Sequence, residues 1–128
     1  MEDNIKISID LMGGDNAPEK TLNGIDLFLK RNKKINDCFF YLFGDESQVQ
    51  NKLNKIESLK DKYQLINTKV VVSNELSALS ALKKGKGSSM WESINSQNTL
   101  NSDVTLSAGN TGVLLVMSKM ILKTMEGI

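Results

Sequence analysis

Histidine is missing from this 128-residue sequence, and cysteine, proline and tryptophan occur once each. Without histidine there is no imidazole to act as a general base or as a metal ligand, which excludes the triads built on it. The single cysteine, Cys38, excludes a disulfide within the chain. Because Cys38 lies in the apolar run CFFYLF, we interpret it as a buried structural thiol. Because histidine is absent, most hydrolase mechanisms are unavailable to this sequence.

An excess of charge of one sign is also missing. The formal net charge is +1, with 24% charged and 40% hydrophobic residues, which is typical of a soluble globular protein and gives no reason to expect nucleic-acid binding. No apolar run reaches the ~18 residues needed to cross a bilayer, and no leader precedes the first apolar segment, so the expected location is the cytoplasm. The length predicts one domain, residues 1–128.

Segments with the spacing of strands and of helices alternate along the chain. Short apolar runs predict strands at residues 5–10, 38–45, 68–73 and 103–109. Patterns with a period near 3.6 predict helices at 18–31, from 45 toward 55, at 90–97 and at 111–125, with a lysine-rich polar connector after the second. This alternation predicts an α/β fold, a Rossmann-like three-layer sandwich with a mostly parallel sheet that binds ligands at the carboxyl ends of its strands.

Local residues indicate where two helices begin and how a third packs. Asp45 with Gln48 resembles a capping box, and Ser89 with Glu92 repeats the pattern. Residues 111–125 are apolar nearly all round, which is typical of a buried helix.

The first candidate site is the turn that follows the first strand. Asp10 ends that strand at its carboxyl edge, and Gly13 and Gly14 can expose backbone amides to an anion near the start of the next helix, with Asp15 beside them. The alternative is a tight turn whose aspartate hydrogen-bonds its own backbone, because the spacing matches neither a dinucleotide fingerprint nor a Walker loop.

The second candidate site is SAGNTG, which leads from the fourth strand into the apolar helix. It contains Ser107, Gly109 and Gly112, and either Asn110 or Thr111 is placed to cap the helix. The start of such a helix offers free amides to a phosphate group. The alternative is an ordinary capped turn with glycines for close packing.

The third candidate is KKGKGSSM, residues 83–90. Lys86 beside the hydroxyls of Ser88 and Ser89 suits a phosphate group, although a capping box and a solvated lysine face explain the same residues without a ligand. Without a histidine base, we expect no nucleophilic serine here.

Three motifs together resemble one known family. IDLMGGDNAPE at residues 9–19, KGSSM at 86–90 and SAGNTG at 107–112 are similar, in order and spacing, to the PlsX family, the phosphate acyltransferases of bacterial phospholipid synthesis. The resemblance implies transfer of a fatty acyl group from acyl carrier protein to inorganic phosphate, giving acyl phosphate. It also implies a fold like that of the isopropylmalate dehydrogenase and phosphotransacetylase superfamily.

The resemblance also implies roles for the candidate residues. Attack of phosphate on a thioester needs an anion cradle and oxyanion donors, but no protein nucleophile, metal or cofactor. The catalytic residues implied are Asp10, Asp15 and Asn110. The residues implied to bind phosphate or acyl phosphate are Gly13, Gly14, Lys86, Ser88, Ser89, Ser107, Gly109, Thr111 and Gly112.

The sequence departs from the family in two respects. Lys83 stands where an arginine is usual, which replaces a fork-shaped donor with a point charge. Family members are more than twice as long, so the chain is expected to be the amino-terminal, truncated portion of the family domain, inactive alone. It would expose the edge of its last strand and the apolar flank of residues 111–125.

The expected partners follow from this incompleteness. They are a second copy of the chain or a complementing carboxyl-terminal polypeptide, with peripheral membrane association for the full-length family. The alternative functions are a non-catalytic phosphate- or nucleotide-binding module and an inactive remnant.

Overall fold

The computed structural model of the protein describes residues 4–33, 37–70, 72 and 77–128. The strands are β1 (Ile5–Asp10), β2 (Cys38–Gly44), β3 (Tyr63–Asn67) and β4 (Val104–Ser107). The helices are α1 (Glu19–Arg31), α2 (Glu46–Leu53), α3 (Ala78–Lys84), α4 (Ser89–Thr99) and α5 (Thr111–Leu122), with a 3₁₀ turn at Glu57–Leu59.

The four strands form one parallel sheet in the order β3-β2-β1-β4. The chain runs outward from β1 through β2 to β3 and then crosses back to the other side of β1. The direction of winding therefore reverses between β1 and β4, which is the switch point of a doubly wound sheet. The predicted α/β, Rossmann-like three-layer fold is confirmed.

One face of the sheet is covered by α1 and α2. Leu22, Ile25 and Leu29 of α1 recur at helical spacing and are buried with Ile9 and Phe40 of the sheet. Burying each of these large side chains contributes about 1.5–3 kcal/mol, so this apolar layer fixes α1 against the strand that carries Asp10.

The opposite face of the sheet packs on α4 through small polar side chains. The hydroxyl of Ser8 in β1 lies 2.6 Å from that of Ser96 in α4 and donates to Ser102 at 2.8 Å. Since these buried hydroxyls bond one another, α4 approaches the sheet closely without leaving polar groups unsatisfied. The buried side chains of α4 and α5 form a second apolar cluster: Met90, Ile94, Val113 and Met117.

The predicted third strand, residues 68–73, is wrong. β3 is Tyr63–Asn67, within the segment expected to be a polar connector, and it pairs in register with β2 from Phe40 to Gly44. Of the predicted range, Val70 makes only an isolated parallel bridge to Ser88, while residues 71 and 73 lie outside the described part of the chain. The free edge of β2 is already taken by β3, so β-branched residues alone do not place a second strand there.

The helix starts agree in part with the predictions. Asp45 caps α2 by accepting the N–H of Ser47, as expected for the first residue of that pattern. The α4 cap is Ser88, which accepts the N–H of Trp91 at 3.1 Å, so the predicted capping box at Ser89 is wrong by one residue. The hydroxyl of Ser89 bonds another part of the chain instead.

The prediction that the last helix is buried all round is also wrong. Leu115 of α5 is 70% exposed and Met120 is 58% exposed. The expected exposure at this side of the molecule is confirmed, because β4 is an edge strand and its Leu106 is 53% exposed. Within the described residues, no helix has both the length and the apolar character needed to cross a membrane.

Candidate functional site

The first two candidate turns lie next to each other at the carboxyl edge of the sheet. Asp10, the last residue of β1, pairs in register with Ser107, the last residue of β4. The turn after Asp10 leads toward α1, and the turn after Ser107 leads into α5. Both turns therefore leave the sheet at its switch point, where doubly wound folds form their ligand crevice.

The carboxylate of Asp10 connects the segments around this crevice. Its Oδ1 accepts the N–H groups of Met12 and Gly13, each at 3.1 Å, and the hydroxyl of Ser89. Its Oδ2 accepts the hydroxyl of Ser107 at 2.8 Å. Asp10 is only 1% exposed, so these donors replace the water that a buried carboxylate loses.

The two turns are in direct contact, and the absence of a side chain at Gly13 allows it. A Cβ on Gly13 would lie 2.4 Å from Asp10 Oδ2 and 2.9 Å from the backbone N of Gly109. A Cβ on Gly109 would lie 2.5 Å from Met90 Cε and 3.2 Å from Ser107 Oγ. At Gly13 one of the obstructing atoms is backbone, so glycine is required there for the close approach of the turns. At Gly109 the nearest atom is the flexible end of Met90, which can move.

Gly14 has a different requirement. Its φ is 107°, a conformation that glycine adopts without strain, and a Cβ there would lie 3.2 Å from the side chain of Ala108. The turn borders a cavity of about 450 Å³. The residues that line this cavity are Gly13, Gly14, Asp15, Asn16, Ala17, Lys20, Thr21 and Ala108.

The amides of the two turns divide into engaged and open groups. The N–H of Gly13 donates to Asp10, and the N–H of Gly109 donates to Ser107 Oγ at 3.1 Å. Within the described residues, the N–H of Gly14 has no protein acceptor. Gly13 and Gly109 therefore shape the turns, whereas Gly14 presents an open donor.

The start of α5 supplies further open donors. Asn110 is the cap, since its Oδ1 accepts the N–H of Val113 at 3.1 Å. The N–H groups of Thr111 and Gly112 precede the first intrahelical bond and have no acceptor in the helix. Both residues are exposed, and the helix dipole places partial positive charge at them.

The third candidate segment is split by the structure. Ser88 and Ser89 are both buried, and their hydroxyls are committed to the α4 cap and to Asp10. Ser89 therefore contributes to the first turn through its hydrogen bond to Asp10, while Ser88 caps the first turn of α4. Lys86 is exposed in the turn before α4, and no contact found among the described residues joins it to the cavity.

The sequence analysis missed five of the residues that line this cavity, of which three are polar: Asn16, Lys20 and Thr21. Lys20 is the informative one, because it is a cation in the first turn of α1, where the helix dipole disfavours positive charge. A lysine at this unfavourable position is the sequence feature that could have indicated Lys20 as a candidate site residue. Nearby, Lys52 donates to Glu19 at 2.7 Å and so lowers the pKa of that carboxyl, and the ion pair offsets the negative charge beside Lys20.

A second, apolar cavity of about 460 Å³ adjoins the first and shares Thr21 and Ala108 with it. It lies between α1 and the β1–β4 part of the sheet, and its walls include Ile9, Phe28 and Leu106. Asp10 and Ser107 border its end. Among the described residues, no cluster of three or more Asp, Glu or Cys side chains is arranged to hold a metal ion.

The fold and the site together define a class. Two glycine turns meet at the switch point of a parallel sheet, near a helix start with open amides, which defines a doubly wound α/β protein with a crevice at its switch point.

A sequence model of a known family, described as "Fatty acid synthesis protein", matches residues 5–128, and the chain belongs to that family. It is similar to proteins named "Phosphate acyltransferase". The identity is 43% over 124 residues with the one from Pelagibacter ubique, covering 97% of this chain and 36% of that protein. With the Azorhizobium caulinodans protein it is 40% over 125 residues, covering 97% and 34%. With the Rhodospirillum rubrum protein it is 35% over 128 residues, covering 100% and 36%.

These similarities confirm the resemblance to the PlsX phosphate acyltransferases. The chain spans about a third of the length of the relatives it matches.

Proposed function

We propose that this chain forms the phosphate-binding part of a phosphate acyltransferase that uses acyl carrier protein as the acyl donor. The observation that carries the proposal is the contact between the Gly13 and Gly109 turns at the carboxyl edge of the sheet. Gly14, with its open N–H, lines the cavity beside this contact, and α5 begins two residues after Gly109. The names of the relatives support transfer to phosphate.

In the proposed reaction, an oxygen of inorganic phosphate attacks the carbonyl carbon of an acyl thioester. A C–O bond forms, the C–S bond breaks, and the electron pair leaves with the carrier thiolate, which then takes up a proton. The products are acyl phosphate and the free carrier thiol. No histidine and no protein nucleophile is needed, in agreement with the composition.

The open amides of Gly14, Thr111 and Gly112 hold the phosphate oxygens or the oxyanion that forms on the thioester carbonyl. Lys20 reduces the electrostatic cost of bringing an anion to the cavity. For Asp10 the contacts favour a positioning role, because its buried carboxylate already has its donors. The assignments of Asp10, Asp15 and Asn110 as catalytic residues stay predictions.

Removal of a single amide tests phosphate binding. Thr111 is the first residue of α5, and Asn110 before it is extended (φ −60°, ψ 121°), so Thr111→Pro fits the helix while deleting one N–H. Loss of a hydrogen bond to a charged group costs about 1.5–3 kcal/mol, which predicts roughly 10- to 150-fold weaker phosphate binding by calorimetry.

The matched control is Ala78→Pro, because Ala78 is the first residue of α3 and follows an extended cap, Ser77 (φ −62°, ψ 154°). This variant should bind phosphate like the parent chain. Equal phosphate affinity for Thr111→Pro and the parent would contradict the proposed binding of phosphate by the first amide of α5.

Transfer is tested separately from binding. Acyl carrier protein carrying a fatty acyl group is incubated with phosphate and either this chain or a family-length protein that contains it, and acyl phosphate is measured. We expect product only with the family-length protein. Phosphate binding with no product in either case would leave the alternative of a non-catalytic phosphate-binding module.

A further inference from the structure

Gly24 is a residue of α1 that the packing of the chain does not explain. It lies inside the helix, where glycine is less favourable than alanine, and its backbone has no positive φ that would require glycine. A Cβ there would have no neighbour within 4 Å in the described part of the chain, so close packing does not require glycine either. Gly24 lines the apolar cavity described above. The missing side chain therefore keeps space open in the wall of that cavity.

The apolar cavity runs along α1. Thr21, Gly24 and Phe28 are spaced by three and four residues, so they lie on one face of the helix. From Thr21 to Phe28 the helix advances by about 10 Å, at about 1.5 Å per residue. A cavity of about 460 Å³ has the size of a site for a small ligand. The opposite wall is the sheet and consists of Ile7, Ile9, Phe40 and Leu106.

One end of this cavity opens toward the proposed phosphate crevice. Thr21 and Ala108 are shared with the cavity beside Gly14, at the carboxyl edge of the sheet. Because α1 connects the parallel strands β1 and β2, it runs back toward the amino edge, and Phe28 lies at that far end. The apolar cavity thus leads from the phosphate crevice into hydrophobic surroundings.

The walls favour a hydrocarbon chain over a peptide segment. Asp10 is the one charged residue among the described residues that line the cavity, and its carboxylate is 1% exposed and accepts the hydroxyl of Ser107. It therefore presents no unpaired charge to a ligand. An extended peptide would bring backbone N–H and C=O groups that apolar walls leave unsatisfied, whereas a hydrocarbon chain brings no polar group.

We propose that the apolar cavity along α1 holds the hydrocarbon chain of the acyl donor and of the acyl phosphate product, and that Gly24 determines how long a chain is accepted. The inference rests on the proposed function, because it takes the acyl group of that reaction as the ligand. It adds the place where the chain lies and the residue that sets its length.

The first test is binding of alkyl phosphates to the chain, measured by calorimetry. Ethyl, butyl, hexyl and octyl phosphate keep the phosphate group and the hydrocarbon chain but have no acyl group to transfer. We expect the affinity to rise about fourfold for each methylene group that enters the cavity and to level off when the cavity is full. Equal affinities along the series would overturn the proposal.

Two leucine variants make this test specific. Gly24→Leu fills the cavity and should lower the ratio of octyl to ethyl phosphate affinity by about tenfold or more, the effect of displacing about two methylene groups. Leucine has a higher helix propensity than glycine, so the variant should fold. Asn23→Leu adds the same side chain at the adjacent, exposed position of α1 and should keep the ratio of the parent. The same ratio in both variants would overturn the proposal.

The second test separates this inference from the proposed function. A family-length chimera, in which this sequence replaces the matched region of the Pelagibacter ubique relative, is assayed with octanoyl and hexadecanoyl acyl carrier protein. Gly24→Leu should lower kcat/KM for the hexadecanoyl donor relative to the octanoyl donor, and Asn23→Leu should not. Acyl phosphate formed with an unchanged preference would overturn the inference and leave the proposed function intact. No acyl phosphate from any chimera would contradict the proposed function, and the alkyl phosphate series would then decide the inference alone.

Two other occupants of the cavity have their own outcomes. If the chain is a dimer by ultracentrifugation and Gly24→Leu dissociates it, the cavity is covered by a second copy. If octyl phosphate binds the chimera no more tightly than ethyl phosphate does, the remainder of the family-length protein covers the cavity. Either result would overturn the proposal.

Discussion

The contact between the two glycine turns can be tested by adding one methyl group. Gly13→Ala places a Cβ 2.4 Å from Asp10 Oδ2 and 2.9 Å from the backbone N of Gly109. The Asp10 carboxylate cannot rotate away freely, because Ser107 and Ser89 hold its two oxygens. The second neighbour is backbone, so the turn that follows β4 must move as well.

The size of the effect follows from this crowding. Overpacking by one methyl group typically costs about 1–3 kcal/mol. For a chain of 128 residues the unfolding entropy converts 1 kcal/mol into about 4 °C, so the melting temperature should fall by roughly 4–12 °C. Phosphate binding should weaken in parallel, because the turns that shape the crevice separate.

Thermal unfolding by circular dichroism measures the change, and Gly24→Ala provides the control. Gly24 lies within α1 and has no neighbour within 4 Å of an added Cβ, so the same substitution there should stabilise the protein by about 0.5–1 kcal/mol. The two variants are thus expected to shift the melting temperature in opposite directions. A Gly13→Ala protein that melts at or above the temperature of the parent would refute the close contact of the turns.

Two further predictions concern stability. Ser89→Ala removes a buried donor to Asp10 and should cost about 1.5–3 kcal/mol in urea unfolding, whereas Ser93→Ala in the same helix, whose hydroxyl bonds the neutral carbonyl of Met90, should cost about half as much. Hydrogen bonds from Ser47 hold the pKa of Asp45 below its ordinary value of 3.8. The ionised Asp45 therefore contributes stability that is present above about pH 4 and lost as the pH falls through the lower folded pKa. In Asp45→Asn, the melting temperature should fall less steeply as the pH decreases below about 4 than it does in the parent chain. The same pH dependence in both proteins would contradict the stabilising role of the ionised Asp45.

Local patterns predicted the fold class because the sheet and helices follow the periodicity of apolar residues. The misplaced third strand shows the limit of prediction from local periodicity. YQLIN at 63–67 and TKVVVS at 68–73 are both short and partly apolar, and the second has the higher β-propensity. Pairing with Phe40 to Gly44 of β2 decides between them, and that pairing is a tertiary property.

The site shows the same limit at the level of single side chains. Two adjacent serines precede α4, and either can cap a helix. Ser88 caps and Ser89 bonds Asp10, 79 residues away in sequence, because the buried carboxylate needs a donor from that side. The sequence motifs therefore indicated the turns, whereas the division of their amides into engaged and open groups depends on contacts between distant segments.

The bonds made by Asp10 have a consequence for motion. One carboxylate fastens the turn after β1, the start of α4 and, through Ser107, the turn after β4. Neither turn can detach without stranding a buried negative charge, so the two are expected to open as one cooperative unit. Amides as far apart in sequence as those of Gly13 and Gly109 should then share a single opening free energy, and a ligand that closes one turn would slow the fluctuations of the other.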